Sequence, residues 1–236
     1  MNDNSRMPWV AAIAGGIVGA VLTAGAILLA GPSLVGERMV RDALLAKPEM
    51  LVEAGQALRE RQFAETLEPI RASVERPFHS SWKGAAKPDV TIAYFYDYAC
   101  PYCHRSNPDI ERLLKEDKGV RVVYRELPIL GPDSVTAARV SLAASKAGKF
   151  GAYYDALNAA GRPSPEAIAS AARAAGVPAQ PSNDPVQEAE LRANMTLASQ
   201  LGATGTPLFV VGNRVINAAV GYDELKEAVD AARQRS

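Results

Sequence analysis

Cysteine and histidine are scarce in this chain of 236 residues, which contains two of each. Two cysteines are too few for a scaffold held together by several disulfides or for a four-cysteine zinc site. The two histidines lie far apart in the sequence, so a zinc site that mixes the two residue types is not expected either. The sequence therefore predicts no zinc site of either kind.

Net charge is also lacking, since 26 basic residues balance 26 acidic ones. No cluster of lysine and arginine suggests the basic surface that nucleic acids require, so nucleic-acid binding is not expected. The hydrophobic fraction of 48% and the charged fraction of 22% exclude a disordered or collagen-like chain. This length predicts one domain with an insertion, or two small domains.

Charged residues are absent between Met7 and Gly36. Within this stretch, residues 9–30 are apolar or small, and as a helix they would cover about 33 Å, enough to cross a hydrocarbon core of about 30 Å. The run is longer than the roughly 7–15 apolar residues of a cleaved signal peptide. We therefore expect residues 1–36 to be a membrane anchor, with a cleaved signal segment as the alternative.

A helical stalk is expected over residues 37–75, interrupted at Lys47-Pro48 because proline disfavours helix at the residue before it. Its second part carries one apolar stripe with spacings of four, three and four, formed by Phe63, Leu67, Ile70 and Val74. The stripe favours self-association, as in a coiled coil, and we expect a homo-oligomer. The alternative is that the stripe packs on the domain that follows.

The rest of the chain predicts an α/β domain over residues 88–236. Residues 76–87 contain proline, glycine and two serines and are expected to be a linker in front of it. Residues 89–96 and 120–126 are predicted strands on either side of a helix. An alanine-rich helical insertion is expected at about residues 132–201, followed by a hairpin around Gly212-Asn213 and a last helix.

Both cysteines lie in one motif, Cys100-Pro101-Tyr102-Cys103, between a predicted strand and a predicted helix. Pro101 fits the first position of a helix, which makes Cys100 the expected N-cap residue, with its sulfur beside unpaired backbone N–H groups. Those groups and the helix dipole stabilise a thiolate and lower the pKa of Cys100. We expect Cys100 to be the nucleophile of thiol–disulfide exchange, and Cys103, one turn further and more buried, to be the resolving thiol.

Three other interpretations of the motif are open. An inert structural disulfide would close a loop of only four residues, which constrains the unfolded chain little. The two thiolates could bind Cu(I) or zinc, with His104 as the one further ligand nearby. The two cysteines could also be buried and unreactive.

Three stretches resemble the DsbA-like thiol:disulfide oxidoreductases: FYDYACPYCHRSNPDI, VVYRELPILGPDS, and Gly205-Thr206-Pro207 before a strand. The resemblance covers about residues 89–235 and implies a thioredoxin fold with a helical insertion. It also implies that Thr206-Pro207 is a cis-proline pair beside the active site, which can leave the Thr206 backbone free to pair with an extended substrate. The stalk further resembles the ScsC-type branch, which implies an oligomer, expected to be a trimer.

Five residues are expected to modulate the dithiol. The dipeptide Pro101-Tyr102 tunes its redox properties, and Tyr102 would also border a substrate groove. A protonated His104 would favour the thiolate, unless it is simply a solvated helix residue. Asp97 or Glu126 could relay a proton to the resolving thiol. The alternatives are a capping role for Asp97 and a surface ion pair for Glu126.

The expected function is thiol–disulfide exchange with protein clients, which requires no cofactor. The chemistry leaves open whether disulfides are formed, isomerised or reduced, although the stalk favours an assembly capable of isomerisation. An anchor combined with this dithiol predicts an envelope protein, held in the inner membrane by residues 9–30, facing the periplasm and served by a membrane redox partner. An alternative is a membrane-anchored copper-binding or assembly protein that uses the same dithiol as a metal site.

Overall fold

The structure, a computed structural model, describes residues 36, 38–181 and 184–235. The described residues fall into two compact units, which divide between residues 57 and 58. The predicted anchor at residues 9–30 lies outside the described residues, and no described helix is long and apolar enough to cross a membrane. The elements in chain order are α1 (residues 38–46), α2 (Glu49–Leu67), α3 (Arg71–Glu75), β1 (Trp82–Gly84), β2 (Val90–Tyr96), α4 (Pro101–Glu116), β3 (Val120–Glu126), α5 (Pro132–Lys146), α6 (Phe150–Ala160), α7 (Pro165–Ala175), α8 (Pro185–Gln200), β4 (Leu208–Val211), β5 (Arg214–Ile216) and α9 (Tyr222–Arg233).

Five strands form one sheet in the order β1-β3-β2-β4-β5. The strands β2 and β3 are parallel and are connected through α4, because parallel neighbours need a crossover connection. The other pairs are antiparallel, and β4 and β5 form the hairpin predicted around Gly212-Asn213. The register pairs Tyr96 with Glu126, so the C-terminal ends of β2 and β3 lie side by side.

The sheet is covered on both faces, as the alternating residues of β2 show. Ile92, Tyr94 and Tyr96 belong to a core shared with α4, α9 and the helices α5–α7. Ala93 and Phe95 belong to a second core, on the opposite face, which includes residues of α8. Burial on both faces explains why β2 is almost entirely apolar or aromatic, the pattern from which this strand was predicted.

The apolar stripe expected to drive self-association packs on the second face of the sheet. Leu67 and Val74 are fully buried there, and Phe63 and Ile70 are partly buried against them. For these four residues the alternative interpretation, packing on the following domain, is confirmed. Large apolar side chains earlier in the helical segment are exposed, namely Met39, Val40, Leu45, Met50, Leu51, Val52 and Leu58.

Residues 76–87 are part of the fold, so the prediction of a linker is wrong. Trp82–Gly84 forms β1, which pairs antiparallel with β3. Ser81 is buried, and its hydroxyl donates to the hydroxyl of Ser145 at 2.9 Å. A strand of three residues is too short to show an alternating pattern, and its pairing with β3 makes it part of the sheet.

The helices α5–α8 occupy the region between β3 and β4, where the helical insertion was expected. Phe150, Tyr153 and Tyr154 of α6 are buried in the first core. Tyr154 contacts the ring of Tyr96 at a centroid distance of 5.4 Å, which brings the insertion against the end of β2. The insertion therefore helps to cover the sheet beneath the dithiol motif.

Candidate active site

The dithiol motif lies where β2 ends and α4 begins. β2 ends at Tyr96, and Cys100 is the N-cap residue of α4, with an extended backbone (φ −80°, ψ 114°). Pro101 lies in the first turn of the helix, where its missing N–H costs no intrahelical hydrogen bond. The N-cap position predicted for Cys100 is confirmed.

The surroundings of Cys100 stabilise its thiolate. A hydrogen bond with the Cys103 thiol is the main cause that lowers the pKa of Cys100 to about 5, and Thr206 and the backbone N–H groups of Tyr102 and Cys103 contribute further. These N–H groups have no partner within the helix, and the helix dipole at this end favours negative charge. In the reduced motif Cys100 is therefore mostly thiolate at neutral pH, which is the form that attacks disulfides.

Cys103 has the opposite preference. Burial among the core side chains raises the pKa of the Cys103 thiol, and its hydrogen bond with Cys100 raises that pKa further. Both cysteines are free thiols and both are 3% exposed, so solvent exposure does not separate them. The difference comes first from the hydrogen bond between the two sulfurs, which favours the thiolate on Cys100 and the thiol on Cys103, and from the stronger desolvation of Cys103. The Tyr94 hydroxyl donates to the Cys103 carbonyl at 3.3 Å, which places this part of the core beneath the motif.

The Thr206–Pro207 peptide bond is cis, as the resemblance implied. Pro207 is buried and leads directly into β4, whose Leu208 pairs with Phe95 of β2. This pairing brings residue 206 to the dithiol, 106 positions away in the chain, and Sγ of Cys100 lies 3.2 Å from the Thr206 carbonyl oxygen. The Thr206-Pro207 pair therefore lies beside the dithiol motif, as the resemblance implied.

Asp97 is a loop-binding residue rather than a free carboxylate. Its Oδ1 accepts from the backbone N–H of Ala99 at 2.7 Å, and its Oδ2 accepts from those of Ile129 and Leu130 at 2.8 and 2.9 Å. The side chain is buried, and its own carbonyl accepts from the N–H of Cys100 at 3.0 Å. These contacts join the loop before Cys100 to the loop after β3. None of the three N–H groups belongs to a helix, and α4 has no side-chain cap, so the alternative of a capping role for Asp97 is wrong.

Glu126 is buried at 1% exposure, so the alternative of a surface ion pair is wrong. Its Oε1 accepts from the hydroxyls of Ser141 at 2.7 Å and Tyr96 at 3.2 Å, whereas its Oε2 has no partner among the described residues. Burial raises the pKa of Glu126 to about 7. These contacts place the carboxyl in the tyrosine-rich core beneath the motif, and a proton relay through it stays a prediction.

His104 and Tyr102 face different surroundings. Nε2 of His104 donates to the carbonyl of Tyr98 at 2.7 Å, since a carbonyl can only accept, and the ring therefore binds the loop that precedes the motif. Tyr102 is 52% exposed and borders a groove of about 380 Å³ beside Thr206 and Pro207, as expected.

Among the described residues, no group of three or more metal-binding side chains is placed to hold an ion.

Sequence reasoning missed two residues at this site. Tyr94 lies beneath the motif, and the alternation of β2 indicated its face but not its contact with Cys103. Arg105 lines the groove beside Tyr102, and its position three residues further along α4 could have indicated this, because such residues share a helix face.

The site contains what thiol–disulfide exchange requires: the Cys100 thiolate at the helix end, the Cys103 thiol one turn further, and a groove beside them. The thiolate attacks a disulfide, and the second thiol then releases the product from the mixed disulfide. This chemistry needs no group beyond the two sulfurs and the client's own sulfur atoms.

Several known proteins are similar to this chain. The family described as DSBA-like thioredoxin domain matches residues 91–230. A thioredoxin-like oxidoreductase from Silicibacter pomeroyi is 36% identical, covers 70% of this chain and 99% of its own, and superposes with a TM-score of 0.65. The catalytic domain of Proteus mirabilis ScsC is 25% identical, covers 72% of this chain and 98% of its own, and has a TM-score of 0.66.

A ScsC variant from the same organism, with its linker deleted, extends the match to 85% of this chain and 94% of its own, at 27% identity and a TM-score of 0.68. Among curated proteins, the Na(+)/H(+) antiporter NhaA 3 of Salinispora tropica is 34% identical over 77 residues, or 32% of this chain. The chain spans only 12% of the length of that relative. The match to the DSBA-like thioredoxin domain covers more than half of this chain. The chain therefore belongs to that family, a family of thiol:disulfide oxidoreductases.

Proposed function

We propose that this protein forms or isomerises disulfides in protein clients, with Cys100 as nucleophile and Cys103 as resolving thiol. The observation that carries the proposal is the opposite shift of the two pKa values, lowered to about 5 for Cys100 and raised for Cys103. One sulfur is therefore a stable thiolate and a good leaving group, whereas the other stays protonated until it resolves the mixed disulfide. An inert structural disulfide would not require this difference.

In the oxidising direction, a client thiolate attacks Sγ of Cys100 in the Cys100–Cys103 disulfide, and Sγ of Cys103 leaves and takes up a proton. A second client thiolate then attacks the client sulfur of the mixed disulfide, and Cys100 leaves as a thiolate. Two client thiols become a disulfide, and their two electrons reduce the motif. One proton stays on Cys103, and the other goes to solvent.

In the isomerising direction, the reduced motif starts the reaction. The Cys100 thiolate attacks a client disulfide, and the client thiolate that leaves attacks a different disulfide in the same client. A client thiolate finally displaces Cys100, so no electrons are gained or lost overall. The low pKa of Cys100 stabilises the reduced motif, which favours donating the disulfide or isomerising over reducing clients.

The groove beside the cis-proline pair supports a protein client as the substrate. It is lined by Tyr102, by residues 204–207 and by the exposed residues 217–219. An extended segment that passes Thr206 would bring its cysteine to Cys100, because the Thr206 carbonyl lies 3.2 Å from the Cys100 sulfur. Backbone pairing of this kind accepts many sequences, as a general exchange enzyme requires.

We further propose that residues 9–30 anchor the protein in an inner membrane, with the catalytic domain in the periplasm and a membrane redox partner that resets the motif. The stretch without charge between Met7 and Gly36 supports the anchor, and disulfide chemistry suits an oxidising compartment. One similar structure is a periplasmic thioredoxin-like protein from Salmonella enterica serovar Typhimurium. A reporter fused to the C-terminus is expected outside the cytoplasm, and a cytoplasmic reporter would overturn this placement.

Self-association through the N-terminal helical segment is the remaining part of the proposal. The exposed apolar side chains of α1 and α2 support it, since an isolated helix with such residues gains by covering them. Sedimentation of residues 37–236 beside residues 58–236 tests it. We expect an oligomer, with three chains as the hypothesis, for the longer protein only, and equal monomeric masses would overturn the claim.

The exchange activity is tested by the reduction potential of the Cys100–Cys103 pair, titrated against glutathione. We expect a potential well above about −300 mV, below which structural disulfides typically lie. A value below that limit would identify an inert bridge and overturn the proposal. Retention of copper through purification, lost in Cys100→Ala, would favour the alternative of a copper-binding protein.

Two single variants check the roles of the thiols. Cys103→Ser is expected to accumulate mixed disulfides between Cys100 and clients, because the resolving thiol is missing. Cys100→Ser is expected to form none and to lose the reduction of insulin, although Cys103 remains. Equal trapping by both variants would contradict the assignment of Cys100 as nucleophile.

A further inference from the structure

An arginine lines the groove beside Thr206, and no carboxylate of the described residues forms an ion pair with it. Arg105 lies three residues after Tyr102 on α4, and its guanidinium stacks over the Tyr102 ring at 4.3 Å from the centroid. The residue is exposed, and among the described residues its guanidinium pairs with no carboxylate. The stacking holds the cation in place while its charge stays available.

The same helix offers a contrasting arginine. Arg112 also stacks over a tyrosine ring, that of Tyr222, at 3.8 Å. Its Nε is however paired with Oε1 of Glu116 at 3.0 Å. Arg112 is therefore a stacked and neutralised cation, whereas Arg105 is stacked and forms no ion pair within the part of the chain that the structure describes.

Arg105 faces the groove that leads to the nucleophile. Among the described residues that line this groove, Arg105 alone is charged, and the others are Tyr102, residues 204–207 and residues 217–219. Thr206 belongs both to this lining and to the surroundings of the Cys100 sulfur. A side chain of the client close to its reacting cysteine would therefore come within reach of the guanidinium.

We propose that Arg105, held by Tyr102, binds an aspartate or glutamate of the client close to its reacting cysteine. The inference rests on the proposed exchange activity and assigns a charge preference to the groove. Its basis is charge complementarity: a groove with one unneutralised cation and no acidic side chain attracts a carboxylate and disfavours lysine or arginine. Arg105 is thus a specificity-determining residue, and thiol–disulfide exchange itself proceeds on the two sulfurs.

The test uses three dithiol peptides that differ only in whether glutamate, glutamine or lysine flanks the cysteines. The oxidised full-length protein is mixed with each peptide in the absence of glutathione, and the second-order rate of peptide oxidation is measured at low and high salt. The variants are Arg105→Gln, which removes the charge, and Arg105→Lys, which keeps it. Arg112→Gln is the matched control, because it removes a stacked arginine from the same helix.

We expect the glutamate peptide to react about threefold faster than the lysine peptide at low salt, the size of effect of an exposed ion pair. The preference should decrease as salt is added. Arg105→Gln should remove it, while Arg105→Lys and Arg112→Gln should keep most of it. A change in the pKa of Cys100 alters the rates of all three peptides together. The ratio of the glutamate rate to the lysine rate therefore reports the charge preference of the groove.

Equal rates for the three peptides with the unmodified protein would overturn the inference and leave the exchange activity standing. An unchanged preference in Arg105→Gln, or an equal loss in Arg112→Gln, would also overturn it. No reaction with any peptide would instead refute the exchange activity, and the inference with it.

Discussion

The ends of the two central parallel strands carry one buried carboxyl group each, and the two groups have different partners. Asp97, after β2, is 2% exposed and accepts three backbone N–H hydrogen bonds. Glu126, at the end of β3, is 1% exposed and accepts from two hydroxyls, and its second oxygen has no partner among the described residues. The two carboxyl groups are thus almost equally buried, but they differ in their hydrogen-bond donors.

This difference indicates separate roles for residues that looked equivalent in the sequence. Backbone N–H groups from two loops fix Asp97, so its carboxylate positions the chain around Cys100. Glu126 accepts instead from the hydroxyls of Ser141 and Tyr96, and burial raises its pKa to about 7, so it can change protonation near neutral pH. A buried carboxyl is therefore classified by its donors and not by its exposure.

The largest expected effect comes from removing the Asp97 carboxylate. Asp97→Ala should lower the free energy of unfolding by about 4 kcal/mol, because hydrogen bonds to a charged group are strong and their donors would be left unpaired. Asp97→Asn keeps one acceptor oxygen and should lose about half as much. Urea unfolding measures both, and a loss within about 0.5 kcal/mol, typical of surface substitutions, would contradict the positioning role.

Glu126 should contribute a pH dependence that Glu126→Gln removes. Its pKa rises from 4.5 to about 7 on folding, so the folded state holds more protons in this interval and stability falls as pH increases through it. The free energy of unfolding of the unmodified protein, minus that of Glu126→Gln, should therefore decrease by about 3 kcal/mol between these pH values. Urea unfolding at several pH values measures this difference, and parallel profiles for the two proteins would contradict the raised pKa.

The smallest expected effect is on the titration of Cys100 in the same Glu126→Gln variant. At the Cys100 midpoint, about pH 5, Glu126 is still protonated and neutral, so the substitution changes no charge there. Thiolate absorbance should give Cys100 midpoints for the unmodified protein and for Glu126→Gln that lie within about 0.3 pH units of each other. Asp97→Asn, which loosens the loop before Cys100, should raise the midpoint, and a larger shift in Glu126→Gln would indicate that Glu126 acts on the dithiol directly.

Elements whose pattern extends over neighbouring residues were predicted well. The strand at 89–96, the helix after it, the strand at 120–126 and the hairpin near Gly212-Asn213 are all present. β1 was not predicted, because three residues show no alternation and pairing with β3 makes them a strand. The stripe from Phe63 to Val74 was recognised as apolar, but its partner, the second face of the sheet, was not determined.

By itself the sequence determined the chemistry that depends on adjacent residues. Cys100 is an N-cap followed by Pro101, so its sulfur meets the N–H groups of its own helix. Tertiary structure alone decided the contacts between distant segments that neither a local pattern nor the family resemblance indicated: the Ile129 and Leu130 amides at Asp97, and Ser141 at Glu126. The reason is physical, because periodicity shows which face of an element is buried, whereas the partner of that face depends on how the whole chain packs.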